Sequence, residues 1–255
     1  MPPKVSVITV SYNREAFIRE AMDSVLAQSY QDWELLVIDD ASTDNTEQVV
    51  AEYAVKDPRI QYHKNNHNLG IAKTRNRGIK LSKGQYIAPL DSDDVWLDKN
   101  KLQKQVEFLD INKDYCMLGG GIMHIDEHSV QIKKVLFPVY DSLIRKIILQ
   151  FNPFPQSTLL YRKEVAVACG GYSTDFIICD DYDLWLKMGL KAKFTNIPQV
   201  LAGYRVHGAN ITRTKRLTTA REILQIVWTY RTKYQRAWIG ILKAYLRLVL
   251  AYMKS

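Results

Sequence analysis

The chain has 255 residues, 47% hydrophobic and 24% charged, the make-up of a globular protein able to bury a substantial core. Its net charge of +8 sits in the tail, where residues 205–255 hold eleven Lys/Arg and one acid, Glu222; the remainder is slightly acidic, which argues against a nucleic-acid-binding main body. Cys116, Cys169 and Cys179 show no C-x-x-C spacing, which speaks against structural zinc and for a reducing compartment; the N-terminus has no signal-peptide layout, and no apolar run is long enough to span a membrane.

The first half alternates strand and helix patterns. "VSVITVSY" (5–12) is rich in β-branched residues and reads as a strand. Apolar residues at helical spacing predict a helix over 14–28. "WELLVIDD" (33–40) is a buried strand, and Ser42 and Thr43 open a helix over 42–54. A third strand (59–65), a helix (72–82), a fourth strand (85–90) and a helix (99–110) follow. Nearly continuous apolar strands alternating with helices predict an α/β fold, Rossmann-like, with a mostly parallel central sheet covered on both faces. The second half predicts two strands around a turn at Glu127–Ser129, a strand at "TLLYR", a short helix after "CDDYD" and a strand through "FTNIPQVLAGYR".

Ligands of such sheets bind at the carboxyl ends of the strands. Three polar clusters fall there: Thr9-Val10-Ser11-Tyr12-Asn13, Asp39-Asp40 and Asp91-Ser92-Asp93-Asp94. Neither phosphate-cradling glycine motif is present. Any phosphate in this crevice needs another positive charge, and three carboxylates at one strand end suit a hard divalent cation such as Mg²⁺ or Mn²⁺. The bland reading of the same stretch is a helix-capping turn.

Taken in order, "VSVITVSYNR", "LLVIDDASTDNT", "NLGIAKTRNRGI", "GQYIAPLDSDD", "GGYSTDF", "DDYDLWLK" and "YRVHG" resemble the signature blocks of family 2 glycosyltransferases over about residues 4–210. The resemblance implies the type A glycosyltransferase fold and an inverting, metal-dependent transfer of a sugar from a nucleotide-sugar, UDP-linked by preference, to a glycan or lipid-linked acceptor. It implies a catalytic domain over 1–212, with a nucleotide half to about 115 and an acceptor half beyond, and roles for single residues. Tyr12 stacks on the base and Asp40 hydrogen-bonds it. Thr9, Val10 and Asn13 line the same site, and Arg75 stands near the nucleotide. Asp91 reaches the ribose or metal-bound water, with Ser92 beside it and Asp94 as a second contact. Asp93 ligates the metal, and His207 closes over the diphosphate as a further ligand. Asp181 is the base. Asp180 replaces the family's usual Glu, which puts its acceptor contact in doubt.

Residues 213–255 predict basic amphipathic helices, with Arg236, Lys243, Arg247 and Lys254 within about 40° of one another on a wheel of about 100° per residue. Such an appendage predicts either peripheral contact with the cytoplasmic face of a membrane or packing on the body or on another subunit, as in a homo-oligomer. Rival readings are an aspartate-nucleophile phosphatase, because "DSDDV" fits D-x-D-x-[TV], a nucleotidyltransferase, and an inactive transferase fold serving as a membrane scaffold.

Overall fold

A computed structural model describes residues 1–208 and 210–253. Among these, nine strands form one sheet: β1 (Val5–Ser11), β2 (Trp33–Asp39), β3 (Ile60–Lys64), β4 (Tyr86–Pro89), β5 (Val95–Trp96), β6 (Tyr115–Ile125), β7 (Gln131–Val135), β8 (Leu160–Arg162) and β9 (Lys193–Arg205). The order is β3-β2-β1-β4-β8-β6-β9-β5, with β7 paired to β6. The helices are α1 (Ile18–Leu26), α2 (Thr46–Ala54), α3 (Ile71–Leu81), α4 (Lys101–Ile111), α5 (Asp141–Ile147), α6 (Lys163–Ala168), α7 (Asp180–Gly189), α8 (Ile211–Thr214), α9 (Arg216–Tyr230) and α10 (Ala237–Tyr252).

The first four strands are parallel neighbours. Successive side chains of a strand point to opposite faces, so a strand covered on both sides reads as an unbroken apolar run. Here Val5, Val7, Leu35 and Val37 enter one core with α1 and α4, while Ile8, Leu36 and Ile38 enter a second with Ala72 and Ile79 of α3. Gly78 lets α3 lie close on β1, since a Cβ there would meet Ile8 Cγ2 at 2.6 Å. Arg75 stands one turn back on the same helix face.

Beyond β4 the sheet is mixed. β8 runs antiparallel to β4 and β6, β5 antiparallel to β9, and β6 parallel to β9. The strand order reverses between β1 and β4, which opens the crevice at their carboxyl ends.

The C-terminal helices are bound to the body. Ile226, Val227 and Tyr230 of α9 enter the main core, and Tyr234 Oη donates to the Leu186 carbonyl at 2.7 Å. Gly240 brings α10 against Leu149, whose carbonyl oxygen lies 2.4 Å from where a Cβ would stand. The expected cationic stripe runs along the edge of this packed side, with Arg236, Lys243 and Arg247 exposed. Lys243 and Arg247 turn to Gln150 at 3.1 and 3.2 Å, Arg236 adopts a left-handed conformation (φ 53°) ahead of α10, and Lys254 lies outside the described residues.

Candidate functional site

The crevice collects the three polar clusters, but their side chains divide between solvent and interior. Tyr12, just past the end of β1, is 46% exposed. Asn13 takes a positive φ of 53°, which Asn tolerates, and binds the neighbouring loop: its N–H donates to Ser42 Oγ at 2.9 Å and its Oδ1 accepts from Thr43 N–H at 2.8 Å. Thr9 is buried within the sheet, while Val10 is partly buried and lines a small cavity with Arg75 and Asp91. Asp40 is buried as well. Its Oδ1 accepts from Asn65 (2.7 Å), Leu69 N–H (2.8 Å) and Thr74 (2.8 Å), and its Oδ2 from Gly70 N–H (3.0 Å). It first organises the loop into α3, and only Oδ2 keeps capacity for a base.

The Asp91–Asp94 turn is divided in the same way. Asp94, expected as a second ligand contact, is buried and committed inside: Oδ2 accepts from Ser157 Oγ at 2.6 Å and Oδ1 from Arg205 N–H at 2.9 Å. Ser92 is buried too. Ser157, in a short 3₁₀ turn (Gln156–Thr158), also accepts from Asp91 N–H at 3.1 Å. Asp93 points to the crevice and meets His207 Nε2 at 3.0 Å and Arg14 Nε at 3.5 Å. Burial pushes Asp93 up, but the His207 hydrogen bond and the Arg14 charge outweigh it and hold the carboxyl below its usual range. The His207 ring packs on Phe17 at 5.0 Å. Arg205, fully buried beneath them, donates to the Asp93 carbonyl (2.8 Å), to Glu20 (2.9 Å) and to the Asp126 and Glu127 carbonyls (both 3.2 Å).

Arg75, expected near the nucleotide, lies between the two acidic clusters. Its guanidinium is buried and bridges the two halves of the site: Nη1 to both Asp180 oxygens (2.9 and 3.1 Å) and Nη2 to Asp91 Oδ1 (3.0 Å), with the Tyr172 ring 5.3 Å away. Asp180 has no exposed surface, so it is not an acceptor contact; it is Arg75's counter-ion. Asp181, next in the first turn of α7, is only partly buried and is not paired to Arg75. Burial, offset in part by the Arg75 charge and reinforced by Asp180, pushes Asp181 up to about 7. A carboxylate with that proton affinity suits proton abstraction near neutral pH. Trp185 is fully buried against Tyr161 and belongs to the core.

A residue with no expected role holds the start of α7 in place. Glu222 of α9 accepts the backbone N–H groups of Ile177 (2.7 Å), Ile178 (3.0 Å) and Cys179 (2.9 Å), the segment leading into Asp180 and Asp181. Tyr230 Oη adds a bond to Asp183 at 2.8 Å. A signal was available, since Glu222 is the one acid of the basic tail. Glu222→Ala strands three N–H donors and is expected to cost about 2–4 kcal/mol in urea unfolding. In steady-state assays kcat should fall more than donor KM, because the change reaches the base and not the donor rim.

Among the described residues no group of three His, Cys, Asp or Glu side chains converges as a metal site. Asp93 and His207 alone meet, and Asp91 is turned to Arg75. Two protein ligands still fit a hard divalent ion, which commonly takes one or two carboxylates and completes its shell with phosphate oxygens and water.

Residues 6–174 match the model of glycosyl transferase family 2. The putative glycosyltransferase EpsE of Bacillus subtilis (strain 168) is 35% identical over 188 residues, 72% of this chain; the chain spans 66% of EpsE's length. WfgD of Escherichia coli, a UDP-Glc:alpha-D-GlcNAc-diphosphoundecaprenol beta-1,3-glucosyltransferase, is 34% identical over 220 residues, 83% of this chain and 80% of that protein. The mannosyltransferase PcManGT from Pyrobaculum calidifontis, in complex with GDP-Man and Mn²⁺, superposes with a TM-score of 0.71 at 20% identity over 99% of this chain and 74% of its own, a likeness of fold.

Proposed function

The chain belongs to glycosyl transferase family 2, and on that premise we propose that it moves a sugar, with inversion, from a UDP-sugar to a hydroxyl of a lipid-linked or surface-glycan acceptor. The observation carrying this reading is the Arg75 bridge, which ties Asp91, in the turn that bears the Asp93–His207 pair, to Asp180, the neighbour of a carboxyl pushed up to about 7. The likeness to WfgD supports the UDP-sugar donor and the lipid-diphosphate acceptor. A catalytic unit over about 1–212, in nucleotide and acceptor halves, and a place on the cytoplasmic face of a membrane belong to the same proposal. Membership of the family sets the phosphatase and nucleotidyltransferase readings aside.

In the proposed reaction Tyr12 stacks on the base and Oδ2 of Asp40 accepts from it. Asp93 and His207 would hold a divalent ion, which would neutralise charge on the departing nucleoside diphosphate. Asp181 takes the proton of the acceptor hydroxyl as its oxygen attacks the anomeric carbon. The bond from that carbon to the diphosphate breaks on the opposite side, so the configuration inverts. Arg75 keeps Asp180 neutralised beside the base and Asp91 fixed on the donor side.

The test is a panel of nucleotide-sugars with and without Mn²⁺, following nucleoside diphosphate release and thermal stabilisation. A UDP-sugar is expected to stabilise the protein and turn over, and chelation to remove turnover. Asp93→Asn should weaken donor stabilisation about tenfold or more, as loss of one charged ligand does. If no donor stabilises the protein or is turned over, the proposal is wrong.

A further inference from the structure

The outer face of the α9–α10 hairpin is apolar and uncovered. Trp238, Leu242 and Leu246 are 69%, 63% and 58% exposed, and Tyr245, Val249 and Tyr252 continue the same side of α10. At about 100° per residue these positions occupy one arc of the helix, opposite the Gly240 and Ala244 side that packs on the body. An apolar face this large on a surface helix marks a docking site.

The charges around it identify the occupant. Arg221 donates to Tyr252 Oη at 2.6 Å, and the Arg231 guanidinium lies 4.5 Å from the exposed Trp228 ring. Cations therefore stand beside exposed aromatic rings at both ends of the hairpin. The only acid in residues 211–253 is Glu222, which is buried on the inner side. A second copy of the chain docked by a two-fold contact would lay this acid-free, arginine-edged face upon itself. An anionic lipid surface receives both parts, with the apolar side chains at the acyl boundary and the arginines at the headgroups. Among the described residues no helix is long and apolar enough to cross a membrane, so the contact is peripheral.

We propose that the outer face of the α9–α10 hairpin docks the protein on anionic lipid bilayers. The proposal deepens the membrane placement proposed above, and because its test uses neither donor nor acceptor, its failure is distinguishable from failure of the transfer reaction. The full chain is expected to float with vesicles of phosphatidylcholine holding about 30 mol% phosphatidylglycerol, far less with phosphatidylcholine alone, and less as salt rises. The double variant Leu242→Ser, Leu246→Ser is expected to lower partitioning by about tenfold or more while donor stabilisation is unchanged. As a measurement on the unaltered protein, vesicles of brominated lipid should quench tryptophan emission, since Trp228 and Trp238 are exposed while Trp33, Trp96 and Trp185 are buried. Absence of flotation at low salt, flotation untouched by the double variant, lack of quenching, or a dimer in sedimentation that the double variant dissolves would each overturn the proposal.

Discussion

Asp181→Asn is expected to lower sugar transfer by about 10²–10⁴-fold, the range for loss of a general base, with donor stabilisation retained. In the parent protein transfer should rise with pH through about 7, as burial holds the proton on Asp181 until then, and level off above. The same shift acts on stability with the opposite sense. The native state holds this proton more tightly than the unfolded chain. Its stabilising contribution is thus complete below the ordinary carboxylate pKa and is lost as the pH climbs through about 7. Asn cannot ionise, so the variant should melt about 3 °C or more above the parent near pH 8.5 and close to it near pH 4. An Asp181→Asn protein with parental turnover would mean that the base lies elsewhere.

Arg75→Met should be the most destabilising single change in the site. It leaves Asp180, with no exposed surface, without the bidentate partner that holds it at 2.9 and 3.1 Å. Breaking a buried ion pair from one side costs about 3–5 kcal/mol, about 6–20 °C in melting temperature for a chain of this size. Adding Asp180→Asn in the same chain removes the stranded charge and should return most of that loss in thermal unfolding. Turnover should stay low in the double variant, because Asp91 has still lost the donor that fixes it. If Arg75→Met melts within about 2 °C of the parent, the bridge is not a buried one.

The parallel core of the fold was legible because its strands are buried on both faces and carry nearly continuous apolar runs, as Leu35–Ile38 does within β2. The short elements β5, α5 and α6 were not, since two to seven residues hold no period that tells strand from helix. At the site, strand ends located the carboxylates, but spacing within a turn does not say which of them faces solvent. Asp93 and Asp94 are neighbours; one meets His207 in the crevice and the other is sealed under Ser157 and β9. Asp180 and Asp181 divide in the same way, and only the position of Arg75, set by the close approach of α3 at Gly78, separates counter-ion from base. Glu222 escaped because its partners are backbone groups more than forty residues away, which no local pattern records.

The long reach of Arg205 bears on how the chain matures. The turn at Asp93 and Asp94 is fastened by a residue 111 to 112 positions later in the sequence, so a nascent chain that has emerged only as far as β8 holds that turn without this anchor. Contacts of such separation form late, and the ability to grip a donor should arrive in one step, when the last strand slides into place, instead of growing as the polypeptide lengthens.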